Sequence, residues 1–134
     1  LAPVIASTSI TVLDRLEKDN SLLIKLKSNA KYFREKMSKA GFTLLEGDHA
    51  IIPVMLGDAK LASDMADKLM DKGIYVIGFS YPVVPMGAAR IRTQMSAAHS
   101  FEDLDAAVEA FTAVGKELNI IYPHPQTLGL EILK

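Results

Sequence analysis

The chain has 134 residues, enough for one domain around a single core, and its 49% hydrophobic and 23% charged residues are the composition of a folded globular chain. Fifteen Lys and Arg against sixteen Asp and Glu leave a net charge of −1, so nothing drives the chain electrostatically toward nucleic acid or an anionic membrane. The absence of cysteine excludes disulfides, thiolate zinc sites, iron–sulfur clusters and a cysteine nucleophile.

The apolar stretch Leu1–Leu13 carries Ser7, Thr8, Ser9 and Thr11 with no basic segment before it, and it reads as neither a signal peptide nor a membrane span. The chain starts at Leu1 rather than Met, and the expectation is a piece of something longer. Residues 1–40 read as helix. Pro3 suits a first turn, and Val4, Ile5, Val12, Leu13 and Leu16 form an early apolar set. Asp19-Asn20-Ser21 interrupts or kinks the element. Leu22, Leu26, Ala30, Phe33 and Met37 then recur on one face, with Lys25, Lys27, Lys31, Arg34 and Glu35 opposite on a solvated face, until Gly41 ends the helix.

Short strands with helices between them follow. Phe42–Leu45 is one short strand, and Ile51–Leu56 a better one, placed at an edge by Pro53. Asp58 caps a helix over residues 59–72 whose apolar side is Leu61, Met65, Leu69 and Met70, and Gly73 ends it. Ile74–Ile77 reads as a compact buried strand, and Tyr81–Gly87, with Pro82 and Pro85, as an ordered loop. In Ala89–Met95, Arg90, Arg92 and Gln94 alternate with Ile91, Thr93 and Met95, the period of a half-buried strand. Ser100 and Asp103 form a capping-box variant that opens a helix to about Leu118, with Leu104, Val108, Phe111 and Leu118 on one face. Met55, Met65, Met70 and Met95 are assigned to the core. The order predicts an α+β fold, a small and mostly antiparallel sheet with helices packed on one face. Residues 122–134 form an unassigned tail beyond a domain spanning 1–121.

Few patterns carry chemistry. Gly78-Phe79-Ser80-Tyr81-Pro82 comes near a hydrolase nucleophile elbow but lacks the final glycine, and its prolines forbid the helix that should follow. His49, His99 and His124 lack metal-ligand spacing and read as structural or surface residues. The stronger feature is Arg90 with Arg92, two residues apart on one strand face. Such a pair meets solvent, carboxylate or phosphate, and the planar guanidinium fork matches a carboxylate. Spacing alone leaves the two arginines equivalent, and by itself it fits a free-standing module that binds a small anion or an amino acid.

The segments His49–Asp58 (HAIIPVMLGD), Gly73–Pro85 (GIYVIGFSYPVVP), Ala89–His99 (ARIRTQMSAAH) and Val108–Gly115 (VEAFTAVG) resemble the small C-terminal domain of the glycine C-acetyltransferase family of α-oxoamine synthases. These are pyridoxal phosphate (PLP) enzymes of fold type I, the aspartate aminotransferase fold. The resemblance runs from Leu1 to about Ile121. It implies a full-length enzyme that condenses glycine with acetyl-CoA to 2-amino-3-oxobutyrate and CoA in threonine and glycine metabolism, with PLP as cofactor. It implies a homodimer, in the cytoplasm or, in a eukaryote, the mitochondrial matrix. Arg92 matches the arginine that grips the amino acid carboxylate, and Arg90 is then structural. Ser80, Tyr81 and Val83 match the acyl-donor side, where an apolar Val83 suits acetyl better than a carboxylated donor. Met86 stands where the family usually has lysine. The family's Schiff-base lysine, ring-stacking histidine and pyridine-nitrogen aspartate belong to a large domain upstream of Leu1. No catalytic or covalently PLP-binding residue is therefore assigned here, and the chain alone is expected to be inactive. The near alternatives are other α-oxoamine synthases, such as 8-amino-7-oxononanoate synthase or serine palmitoyltransferase.

Overall fold

The computed structural model describes residues 1–121, so the tail 122–134 and His124 lie outside the described residues. The first forty residues form two helices, α1 (Pro3–Lys18) and α2 (Ser21–Lys39). The chain breaks at Asp19, whose backbone is extended and whose Oδ1 accepts from the Ser21 N–H at 2.9 Å, so the side chain starts the second helix as the first ends. The strand β1 (Ile51–Gly57), the helix α3 (Ala59–Asp71), the strands β2 (Ile77–Phe79) and β3 (Ala89–Gln94), and the helix α4 (Phe101–Glu117) follow.

The sheet order is β1-β3-β2, with β3 antiparallel to both neighbours. The strands β1 and β2 therefore run parallel to each other, and α3 is the crossover of a split βαβ unit. Asp58 caps α3 by accepting from the Leu61 N–H at 2.8 Å, and Gly73 follows that helix with a φ of +79°. As the edge position of Pro53 predicts, β1 is an outer strand.

Several expectations need correction. Phe42–Leu45 is not a strand; it makes one bridge to β1, Leu44 to Val54, flanked by hydrogen bonds from the Leu45 N–H to the Pro53 carbonyl and from the Met55 N–H to the Thr43 carbonyl. The strand predicted at Ile74–Ile77 lies at Ile77–Phe79, and Tyr75 is 74% exposed, because α3 ends in a turn whose Ile74 N–H still reaches the Leu69 carbonyl at 2.9 Å. Met70 is 49% exposed and Met55 lies on the open side of β1, so only Met65 and Met95 of the four assigned methionines are buried, along with Met37. Arg34 is not on a solvated face. Its guanidinium donates to the Leu45 and His49 carbonyls and pins the turn before β1.

The core lies between the helices and the inward side of the sheet. Ile52, Val54 and Ile91 meet Phe33 and Met37 of α2, Met65 and Leu69 of α3, and Leu104, Phe111 and Val114 of α4. At Gly115 an added Cβ would stand 2.7 Å from the Phe42 ring, so α4 and the turn after α2 approach as closely as only glycine permits. Asn29 is buried in α2, and its Nδ2 donates to the carbonyls of Ser96 and His99, both at 2.9 Å. Asn29→Ala would leave both carbonyls without that donor, and we expect a loss of about 2–3 kcal/mol in urea unfolding. A loss under about 0.5 kcal/mol would show that water replaces the amide there.

The predicted capping box is present. The Ser100 hydroxyl accepts from the Asp103 N–H at 3.1 Å, and the Asp103 carboxylate accepts from the Ser100 N–H at 2.8 Å. That backbone bond, helped by the Ser100 side chain, holds the Asp103 carboxyl below its ordinary 3.8. A depressed folded-state pKa gives stability that is complete above the unfolded value and is lost as pH falls through the folded one. Thermal melts from about pH 6 to about pH 2.5 should therefore show the advantage of the parent over Asp103→Ala shrinking at the acid end. A constant gap would mean that the carboxylate charge contributes nothing.

Helix α1 has no buried residue, and Val4, Ile10 and Leu13 are each more than half exposed. The apolar face of α2 is covered only from Leu26 onward, while Leu22 stays exposed.

Candidate functional site

Strand alternation settles which side chains share a face. Ala89, Ile91 and Thr93 are buried against the helices, and the Thr93 hydroxyl donates to the Ile52 carbonyl at 2.7 Å. Arg90, Arg92 and Gln94 point to the opposite, open side of the sheet. The pairing register then decides their neighbours. Arg92 lies between Pro53 of β1 and Ile77 of β2, and Arg90 between Met55 and Phe79. The cross-strand partners of both arginines are thus apolar.

Their surroundings differ. The Arg90 Nε donates to the Ala88 carbonyl at 3.0 Å, and the residue is half-buried. Arg92 is exposed and its side chain makes no hydrogen bond or ion pair among the described residues; its guanidinium carbon lies 4.7 Å from the centre of the Phe79 ring. One arginine is tied to the backbone just before its strand, and the side chain of the other keeps all its donors free. The equivalence left by sequence spacing is broken by the fold. Phe79 lies beyond the strand that the sequence predicts at Ile74–Ile77, so its place beside Arg92 follows only from the observed strand Ile77–Phe79. An aromatic residue two positions after Ile77 is the signal that the correct strand would have exposed.

Ser80, Tyr81 and Val83 lie in the loop that joins β2 to β3, at the Phe79–Arg90 end of the sheet. The loop is ordered by turns in which the Val83 and Val84 N–H groups donate to the Ser80 carbonyl and the Ala88 N–H to that of Pro85. Ser80 is half-buried, whereas Tyr81, Val83 and Met86 are exposed. The imidazoles of His49 and His99 each accept from a backbone N–H through Nδ1, at 3.0 Å from Ile51 and 3.2 Å from Ser96. Among the described residues no hydrogen bond joins Ser80 to a histidine, and no three potential metal ligands cluster.

These residues do not fit a PLP site by themselves. Every described lysine lies on a helix or at its end, none on the strands or the loop beside Arg92. Lys36, Lys60 and Lys68 are pushed above the ordinary lysine range, by hydrogen bonds with Tyr32 and Asp105, with Asp64 and with Glu117 respectively. An imine-forming lysine needs the opposite shift. A groove of about 590 Å³ does exist, between Gly73–Val76 and the start of α4. Phe33, Thr93, Met95 and Phe111 line it, on the helix side of the sheet, and neither arginine nor any of Ser80, Tyr81 and Val83 borders it. The groove and the open arginine face are therefore on opposite sides of the sheet.

The family model described as aminotransferase class I and II matches residues 1–111. The chain is 60% identical over 121 residues to the 2-amino-3-ketobutyrate coenzyme A ligase of Escherichia coli K12, covering 90% of this chain and 30% of that protein. It is 53% identical over 116 residues to the mouse protein named 2-amino-3-ketobutyrate coenzyme A ligase, mitochondrial (87% and 28%). To the 8-amino-7-oxononanoate synthase of Thermoanaerobacter pseudethanolicus it is 43% identical over 121 residues (90% and 31%). The chain thus spans about 30% of the length of these relatives. Among solved structures it is similar to an 8-amino-7-oxononanoate synthase from Francisella tularensis, at a TM-score of 0.75 and 26% identity over 87% of this chain and 34% of that one. It is also similar to a serine palmitoyltransferase from S. paucimobilis solved with PLP and myriocin, at 0.68 and 31% over 72% of this chain and 25% of that one.

Proposed function

Because the chain belongs to the class I and II aminotransferase family, we propose that residues 1–121 are the small C-terminal domain of a PLP-dependent α-oxoamine synthase that condenses glycine with acetyl-CoA to 2-amino-3-oxobutyrate and CoA. The observation that carries this reading is the 60% identity to the E. coli ligase over 121 residues. The 43% identity to an 8-amino-7-oxononanoate synthase makes that activity the weaker alternative. Arg92 grips the glycine carboxylate through its free guanidinium, and Arg90, braced on Ala88, supports the strand. Ser80, Tyr81 and Val83 line the acyl-donor side, where Val83 offers a short acyl chain no polar partner. Met86 contributes no charge there, so CoA phosphates are held by other groups.

PLP, which supplies the carbanion stabilisation this chemistry requires, belongs in our reading to the upstream large domain, together with the lysine that anchors it. That domain also closes the open arginine face and covers α1. The apolar side of α1 supports such a contact. The hydroxyls of Thr8, Ser9 and Thr11 donate to the carbonyls four residues back, at 2.8–2.9 Å, so their hydrogen-bonding need is met without water. The whole protein is a homodimer of the cytoplasm, or of the mitochondrial matrix in a eukaryote; the mouse relative's name includes the word mitochondrial.

The test is CoA release from acetyl-CoA and glycine. The full-length protein is expected to release CoA with glycine and to prefer acetyl-CoA over longer or carboxylated donors, and the 134-residue chain to release none. A preference for a long or carboxylated donor would move the assignment to another α-oxoamine synthase. Turnover by the isolated chain would overturn the division of labour.

A further inference from the structure

We infer that Phe79 is a positioning residue that holds the Arg92 guanidinium ready for a substrate carboxylate while leaving its charge uncompensated. The inference rests on the reading of Arg92 given above and goes beyond it to the residue that makes the arginine effective.

The argument starts from register. In β2–β3, Ile77 pairs with Arg92 and Phe79 with Arg90, so Phe79 is the diagonal neighbour of Arg92 on the open face. Diagonal positions on one face lie roughly 7–8 Å apart, within reach of an aromatic ring and a long side chain. The Arg92 side chain takes that diagonal and brings its guanidinium carbon to 4.7 Å from the ring centre, inside the range of a cation–π contact. The positions paired with it on the neighbouring strands, Pro53 and Ile77, are apolar and offer the cation no side-chain acceptor.

The choice of partner matters chemically. Lys36, Lys60 and Lys68 are held by carboxylates, and Arg34 and Arg90 by backbone carbonyls. Each of those contacts uses N–H donors, and a carboxylate would also neutralise the charge. A ring uses none of the five guanidinium N–H groups and cancels no charge, yet it limits the rotamers of a long and flexible side chain. An arginine meant to receive a carboxylate needs that combination of restraint and unspent donors. A brace of this kind acts on binding of the amino acid and leaves the acyl donor untouched.

The experiment compares Phe79→Leu, Phe79→Tyr, Phe79→Trp and Arg92→Ala in the full-length enzyme. Leucine keeps the apolar packing at residue 79 but has no ring face. Phe79→Leu should raise KM for glycine roughly 5- to 20-fold, with kcat and KM for acetyl-CoA within about twofold of the parent. Phe79→Tyr and Phe79→Trp should keep KM for glycine near the parent value, which a role in packing volume alone would not produce for tryptophan. If Phe79→Leu leaves KM for glycine within about twofold of the parent while Arg92→Ala raises it strongly, the positioning role is wrong and the arginine assignment stands. A parallel rise in both KM values would also overturn it, by showing general distortion of the site. Should Phe79→Leu fail to fold, a Trp variant with a raised KM for glycine would overturn the inference, and one at or below the parent value would uphold it. If Arg92→Ala itself leaves KM for glycine unchanged, the carboxylate assignment fails and the role of Phe79 falls with it.

Discussion

Replacing Arg92 by alanine in the full-length enzyme should lower kcat/KM for glycine by roughly 10²- to 10³-fold, with KM for acetyl-CoA nearly unchanged. The size follows from the bonds lost. A bidentate guanidinium–carboxylate pair contributes two charge-assisted hydrogen bonds of about 1.5–3 kcal/mol each, and part of that is recovered by water in the variant. The fold gives the pair its value. The Arg92 side chain makes no ion pair among the described residues, so a carboxylate bound there would displace none. Arg92→Lys should be intermediate, since an ammonium keeps the charge but lacks the planar fork. Arg90→Ala should cost far less in glycine binding, because Arg90 is bonded back to Ala88. Steady-state kinetics with glycine as the varied substrate decide the matter. Equal losses at Arg90 and Arg92 would show that the two act as one anion clamp.

The largest effect on stability is expected at Phe111. Its ring meets Phe33 edge-on at 6.3 Å and Phe42 at 5.9 Å, so one side chain joins α4 to α2 and to the turn that leads into β1. Phe111→Ala should remove about 3–5 kcal/mol, from lost transfer energy plus a cavity that the surrounding helices cannot close. That is a large share of a marginal total, and the melting temperature should fall by roughly 10–20 °C. Phe111→Leu should cost much less, because it fills most of the space. Chemical and thermal unfolding of the parent and both variants give the comparison. A loss under about 1 kcal/mol for alanine would mean that the helices collapse onto the gap.

Local chemistry explains what was legible in the sequence. Asp58 and the Ser100–Asp103 pair announce their helices because each cap is a bond between residues three apart in sequence. The alternation of Ala89–Gln94 is equally local: a period of two places Ile91 and Thr93 on one side and both arginines on the other. Residues whose fate depends on distant partners were not legible. The run Ile74–Ile77 has the composition of a strand, but the turn closing α3 holds its first residues, and pairing with β3 starts only at Ile77. Phe42–Leu45 has strand-like residues but makes a single bridge. Arg34 looks like one more charge on a solvated face until the turn before β1 folds over it.

The same division holds at the site. By itself the sequence determined an α+β fold, the helix starts, the two arginines on one strand face, and, through resemblance, the family. Each of these rests on spacing within one element or on a long run of matching residues. The tertiary structure alone decided that Arg90 is bonded to Ala88 while Arg92 stays free over Phe79. That difference depends on which residue of β2 lies beside which residue of β3, and a register between strands is set by packing of the whole sheet against the helices rather than by either strand alone.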